Sequence, residues 1–211
     1  MRAAPLAAWV LLALPAAGCA PERDFMPLAV GNRWDYRVVD SDGTISARRL
    51  SITGRAAQLT WRARDGGALG LWSGDVPCAW SKEDNIVSVQ QEGARIYLLW
   101  LPPAVGTGWW TQTPDGARVW CQIVGRETVR VPAGTFPDCV VVVMEEPGGR
   151  TEMRHWFAPD VGWVRYSWGP RGGRPFLVRE LVAWELRPLD KYQGKESGDR
   201  PKKSADQDKD W

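Results

Sequence analysis

Four cysteines and one histidine are the residues of this 211-residue chain best suited to covalent or metal chemistry. Cys139 closes the stretch VRVPAGTFPDC and is followed by four valines, and His155 lies in TEMRHWFAPD. A cysteine nucleophile needs a thiolate, usually made by a nearby histidine or a helix N-terminus. His155 could approach Cys139 only through the fold. No helix N-terminus is predicted beside either residue, and no Asn or Asp is placed to orient the ring. Cys78, Cys121, Cys139 and His155 match the ligand number of a structural zinc site but lack its usual close C-x-x-C spacing. Glu145 and Glu146 could suggest paired carboxylates for glycoside hydrolysis. Neighbours on a strand point to opposite faces, so these two cannot flank one bond, and EEPGG reads as a hairpin turn. The expectation is no catalytic residue, no metal site and no cofactor.

Cys19 suggests a different chemistry. Arg2 gives a positive start, Leu6 to Leu14 form a short apolar run, and Ala16, Ala17 and Gly18 precede the cysteine. The run is too short to cross a bilayer, which takes about 20 apolar residues, and it fits a secretory signal peptide. Small residues directly before a cysteine resemble the lipobox of bacterial lipoproteins. In that family the thiol is diacylated, the signal is cut before the cysteine, and the new amino terminus is acylated. Several acyl chains anchor firmly where one binds marginally. The residue after the cysteine is Ala20, not aspartate. Under the sorting rule of enterobacterial lipoproteins, that implies the outer membrane.

Export favours disulfides over zinc. With Cys19 lipidated, three cysteines remain, and one bridge plus one buried thiol is the simplest account. If the chain turns near Ala133 and Gly134, Cys121 lies well away from the residue opposite Cys139. Cys78 is then a partner in any bridge, with Cys121 or Cys139 as the other member.

The elements that must position these residues are strands. Trp34, Tyr36 and Val38 alternate with Arg33, Asp35 and Arg37; Leu59, Trp61 and Ala63 alternate with Thr60, Arg62 and Arg64; Val164, Tyr166 and Trp168 alternate with Arg165 and Ser167. Period two with aromatic and branched residues marks half-buried strands. Turn chemistry recurs at SDG, RDGG, SGD, KEDN, QEG, TPDG, EPGG and GPRGG, at hairpin spacing. The fold class is therefore all-β. It is a single domain of about nine or ten antiparallel strands, curved into a meander or incomplete barrel, preceded by a signal-peptide helix. VRVPAGTFPDCVVVV becomes strand, tight turn, strand. Val119, Cys121, Ile123, Val129 and Val131 share one face, pairing stops at Pro132, and Cys139 begins a strand buried on both sides. An internal echo, P-x-A-V-G-x-x-W, occurs at PLAVGNRW and at PPAVGTGW, offset by 75 residues. It reads as a repeated strand entrance in which glycine permits a bend and tryptophan plugs the core.

VPAGTFPDC, the later HWFAPDVGWVRY and the early PLAVGNRWDY together resemble the TapB-like group of bacterial exported proteins. The three motifs span almost the whole β region. The resemblance implies export, often as a lipoprotein, and a curved all-β build. It brings no catalytic residues with it. Trp156 departs from the tyrosine of many relatives.

The resulting layout is a lipoprotein signal peptide at 1–18, a lipidated tether at 19–26, the all-β domain at 27–189 and a charged, disordered tail at 190–211. Five of the six lysines lie in that tail, where opposite charges nearly cancel. With a net charge of +2 and no basic stripe, nucleic acid is not expected as a partner. Twelve tryptophans in the β region could stack sugars or line a lipid cavity, but core filling is the simpler account. Arginines alternating outward read as a solvated face. The functional expectation is a bacterial envelope lipoprotein acting as a non-catalytic binding or scaffold module, not an enzyme. Its partners would be the membrane, through Cys19, and an envelope protein. A periplasmic carrier of apolar ligands such as a lipid or acyl chain is the second reading, and a hydrolase the last.

Overall fold

The computed structural model describes residues 23–52, 58–59, 62–63, 78–91 and 93–187. The signal-peptide helix, Cys19 and the charged tail lie outside these residues. Among the described residues the chain is all-β, with thirteen strands. In chain order they are β1 (Arg33–Asp40), β2 (Ile45–Ser51), β3 (Gln58–Leu59), β4 (Arg62–Ala63), β5 (Cys78–Glu83), β6 (Ile86–Gln91), β7 (Ala94–Trp100), β8 (Gly108–Gln112), β9 (Arg118–Val131), β10 (Gly134–Glu145), β11 (Thr151–Ala158), β12 (Gly162–Pro170) and β13 (Leu177–Glu185).

They form two antiparallel sheets. The larger has nine strands in the order β4-β2-β1-β13-β12-β11-β10-β9-β8, and the smaller has four, β3-β5-β6-β7. From β8 to β13 the large sheet is one uninterrupted meander. The first strand then joins the last, with Arg33 opposite Glu185 and Asp40 opposite Leu177. β4 and β8 are its two edges, so it is an open sheet and not a closed barrel.

Alternation accounts for most of this. Trp34, Tyr36 and Val38 are buried, as are Val119, Cys121, Ile123, Val129 and Val131. Each buried tryptophan removes roughly 150–250 Å² from water, so Trp34, Trp80 and Trp163, all fully enclosed, dominate the core. The turns follow their chemistry. Asp84 and Asn85, with φ of 52° and 62°, make the two-residue turn between β5 and β6. Glu146 accepts from the Gly149 N–H over 2.9 Å in the EEPGG turn.

Three features differ from expectation. The alternating run at 58–64 is not one strand: Gln58 and Leu59 pair with β5 in the small sheet, and Arg62 and Ala63 pair with β2 in the large one. The chain changes sheets there, which a local pattern does not reveal. β10 starts at Gly134 rather than Cys139, running through Pro137 by a bulge between Phe136 and Cys139. Asp138 takes φ +58° there, and Arg126 donates to it over 2.8 Å. The missing N–H of proline is tolerated at such a bulge. Finally, Phe25 and Met26, read as part of the tether, are buried in the core. Asp24 fixes them by accepting from the Asp160 N–H over 2.6 Å.

Candidate functional site

Cys139 and His155 come close in sequence order of strands but not in space. His155 on β11 stands opposite Val142 on β10, and Cys139 lies three residues before Val142. An odd offset on a strand places the two side chains on opposite faces of the sheet. Both are fully buried. The Cys139 thiol donates to the Phe136 carbonyl over 3.3 Å, and burial, reinforced by Glu127 and Asp138, pushes it up to about 12 against a donated Val129 hydrogen bond. A protonated thiol facing away from the imidazole does not form a nucleophile–base pair. Cys121 is likewise a buried free thiol whose ionisation burial raises. Cys78, the other member of the expected bridge, has its side chain outside the described residues.

His155 instead belongs to a row of polar side chains on the inner face. β11, β12 and β13 run in register, so His155 pairs with Tyr166 and Tyr166 with Arg179. Directly opposed side chains in adjacent strands lie in contact. The imidazole stacks on Trp163 at 5.2 Å between ring centroids and meets the Tyr166 edge at 5.0 Å. The Arg179 guanidinium sits 5.2 Å over Trp163 and 5.5 Å over Tyr166. Trp80 covers the group from the small sheet, 5.8 Å from Trp163. Tyr36 closes it from β1, donating its hydroxyl to the Trp163 carbonyl over 2.8 Å.

The electrostatics follow from enclosure. Desolvation, and then the Arg179 charge, lower the imidazole to about 3, so His155 is neutral. Burial raises the Tyr36 and Tyr166 hydroxyls, with Arg179 opposing it. Neither ring nitrogen of His155 has a hydrogen-bond partner, and neither has the Trp80 indole nitrogen. An orphaned buried polar atom costs about 1–3 kcal/mol, so the cluster is held by the packing around it. A neutral imidazole presents one donor and one acceptor, and this one is shut behind aromatic rings.

Sequence reasoning placed Tyr166 on a buried face but missed Arg179, reading arginines as outward. Arg179 is a correction to that: it is buried between Leu177 and Leu181, both also buried. The L-x-R-x-L alternation was the available signal. Arg33, Arg37 and Arg49 do face outward, pairing with Glu185 at 3.2 Å, Glu180 at 2.7 Å and Asp35 at 2.6 Å. Glu145 ends β10 and pairs with Arg171 at 2.7 Å, with Glu146 in the turn beyond it. Among the described residues no group of three or more His, Cys, Asp or Glu side chains is arranged to hold a metal ion.

Two solved structures resemble this fold. One is a candidate lipoprotein from Parabacteroides distasonis, 15% identical, covering 79% of this chain and 100% of its own, with a TM-score of 0.45. The other is a candidate exported protein with a YmcC-like fold from Bacteroides fragilis, 16% identical, covering 78% and 100%, with a TM-score of 0.48. At these identities neither similarity extends to a function. No family model and no curated protein matches the chain, so the likeness to the TapB-like group is one of three short motifs.

Proposed function

We propose that this chain is a lipoprotein of the bacterial envelope, held at the outer membrane through Cys19, whose β domain is a non-catalytic binding or scaffold module. The observation that carries the reading is the sealing of its reactive groups. Cys139 and His155 are enclosed, neutral and on opposite faces of one sheet. The inner face is filled by Trp34, Tyr36, Trp80, Phe157 and Trp163. Among the described residues this packed inner face supports contact through outer surfaces over carriage of a lipid inside.

The test is cross-linking in intact envelopes, followed by native mass spectrometry of the purified protein. The expected result is one stoichiometric protein partner and no lipid retained after detergent exchange. A tightly held lipid in the absence of any partner overturns the scaffold reading in favour of a carrier.

A further inference from the structure

The connection between β7 and β8, residues 101–107, reads LPPAVGT and carries no charged side chain. Pro102, Ala104 and Val105 are exposed, Val105 at 59%. An open tryptophan flanks the loop on each side, Trp100 at 40% and Trp110 at 41%. The second copy of the same A-V-G turn exposes its own valine, Val30, at 39%.

Both turns lie at the end of the domain where the chain arrives from Cys19. The Arg126 guanidinium sits 5.4 Å over the Phe25 ring and donates to the Pro103 carbonyl over 3.0 Å. Leu101 donates to the Asn85 carbonyl over 2.7 Å, and Lys82 on the adjoining strand donates to Asp24 over 2.7 Å. Three cations here are matched, Arg23 with Asp160 at 3.5 Å, Lys82 with Asp24, and Arg126 with Asp138 at 2.8 Å, while the Arg118 guanidinium lies 4.3 Å over the Trp110 ring. What this end offers is apolar and aromatic surface, and tryptophan suits a membrane interface because its ring is apolar with one polar N–H.

The tether decides the occupant. The four residue steps from Cys19 to Arg23 span at most about 15 Å. Acyl chains on Cys19 would therefore hold this end, and no other, against the leaflet. We propose that this end is a membrane-docking surface. Val105 leads it, with Pro102 in the same connection, Trp100 just before it and Val30 at the same end, and it enters the headgroup region of the leaflet that carries the Cys19 acyl chains. The proposal rests on the lipidation reading above.

The experiment places a polarity-sensitive fluorophore on Val105→Cys in the mature full-length protein. The protein is reconstituted into phosphatidylethanolamine–phosphatidylglycerol vesicles containing a quencher lipid, and its N-terminal peptide is weighed in parallel. Ile45→Cys is the control, since Ile45 is 65% exposed at the far end of β2, opposite Val39, whereas Ser51 at the near end faces Arg33. The unsubstituted protein sets the background, Cys121 and Cys139 being buried. The expected result is blue-shifted, strongly quenched emission at 105, aqueous emission at 45, and no change on adding salt. Aqueous emission at 105 in an acylated protein overturns the docking surface and leaves the anchor standing. So does quenching that salt abolishes. Quenching at 105 without acyl mass sustains the surface and removes the anchor, and aqueous emission without acyl mass removes both.

Discussion

Gly31 and Gly106 stand 75 positions apart and adopt the same backbone conformation, φ +92° and +94°. Each donates its N–H over 2.8 Å to an isoleucine carbonyl, Ile52 and Ile123 respectively. Each isoleucine returns its own N–H over 2.9 Å to the residue after the glycine, Asn32 or Thr107. Three residues on, Trp34 and Trp109 both enter the core, and their indole nitrogens donate to the carbonyls of Val161 and Tyr97. The echo in the sequence is one structural device used twice: a turn that clips the chain to a neighbouring strand and then drives a tryptophan inward.

The device depends on a positive φ, which costs an L side chain about 1–2 kcal/mol. Gly106→Ala meets nothing within 4 Å, so only the backbone is strained. Gly31→Ala adds a contact at 3.1 Å with Arg187 Cγ. Both variants are expected to melt several degrees lower, with Gly31→Ala the lower of the two. Thermal denaturation followed by circular dichroism reads this. An unchanged midpoint for Gly106→Ala would show that the turn relaxes freely.

Gly108 serves a different purpose. The Trp120 ring lies across it, and a Cβ there would collide with the ring's Cζ2. Gly108→Ala should displace Trp120 from its edge contact with Trp110, now at 5.1 Å. Overpacking of this kind costs about 1–3 kcal/mol. The near-ultraviolet dichroism should change as well. Gly125→Ala, with open space and no positive φ, is the matched variant expected to leave both signals alone.

The buried thiols make a chemical prediction. Cys121 and Cys139 should resist iodoacetamide in the native protein and alkylate only after unfolding, because burial keeps both protonated. Cys139→Ala should leave the biological role intact and lower stability by about 1 kcal/mol, the scale of a small buried deletion. Peptide mapping that finds either thiol linked to Cys78 would show that it is not free in the native protein.

Much of this architecture was legible because the signals are local. Alternation at Trp34, Tyr36 and Val38, the turn pairs at KEDN and EPGG, and the valines after Cys139 each report their own surroundings. What escaped depends on distant chain. The switch of sheets between Leu59 and Arg62 is set by two different partners, β5 and β2. The burial of Phe25 and Met26 is set by Asp160, far along the sequence. The inner cluster escaped for the same reason. No pattern within β11, β12 or β13 alone says that His155, Tyr166 and Arg179 will align, since the register of three strands decides it.

That alignment gives the protein a pH dependence whose sign is fixed. His155 is the chain's one histidine. In the unfolded chain it titrates near 6.5, and in the fold it is lowered to about 3. Above about 6.5 both states are neutral and the fold bears no penalty. As pH falls below 6.5 the unfolded state takes up a proton that the native state refuses. Stability is then lost at about 1.4 kcal/mol per pH unit until the native value is reached. Between pH 7 and pH 5 the loss should be about 2 kcal/mol, read as a lower urea midpoint at unchanged slope. Most carboxylates titrate below this window, so His155 should account for the loss. His155→Leu removes the titrating group and fills the same apolar box. Its midpoint should be nearly flat from pH 7 to pH 5, whatever its stability at pH 7. A wild-type midpoint that does not move over this range would mean that the ring is solvated in the native state, and the sealed cluster would be wrong.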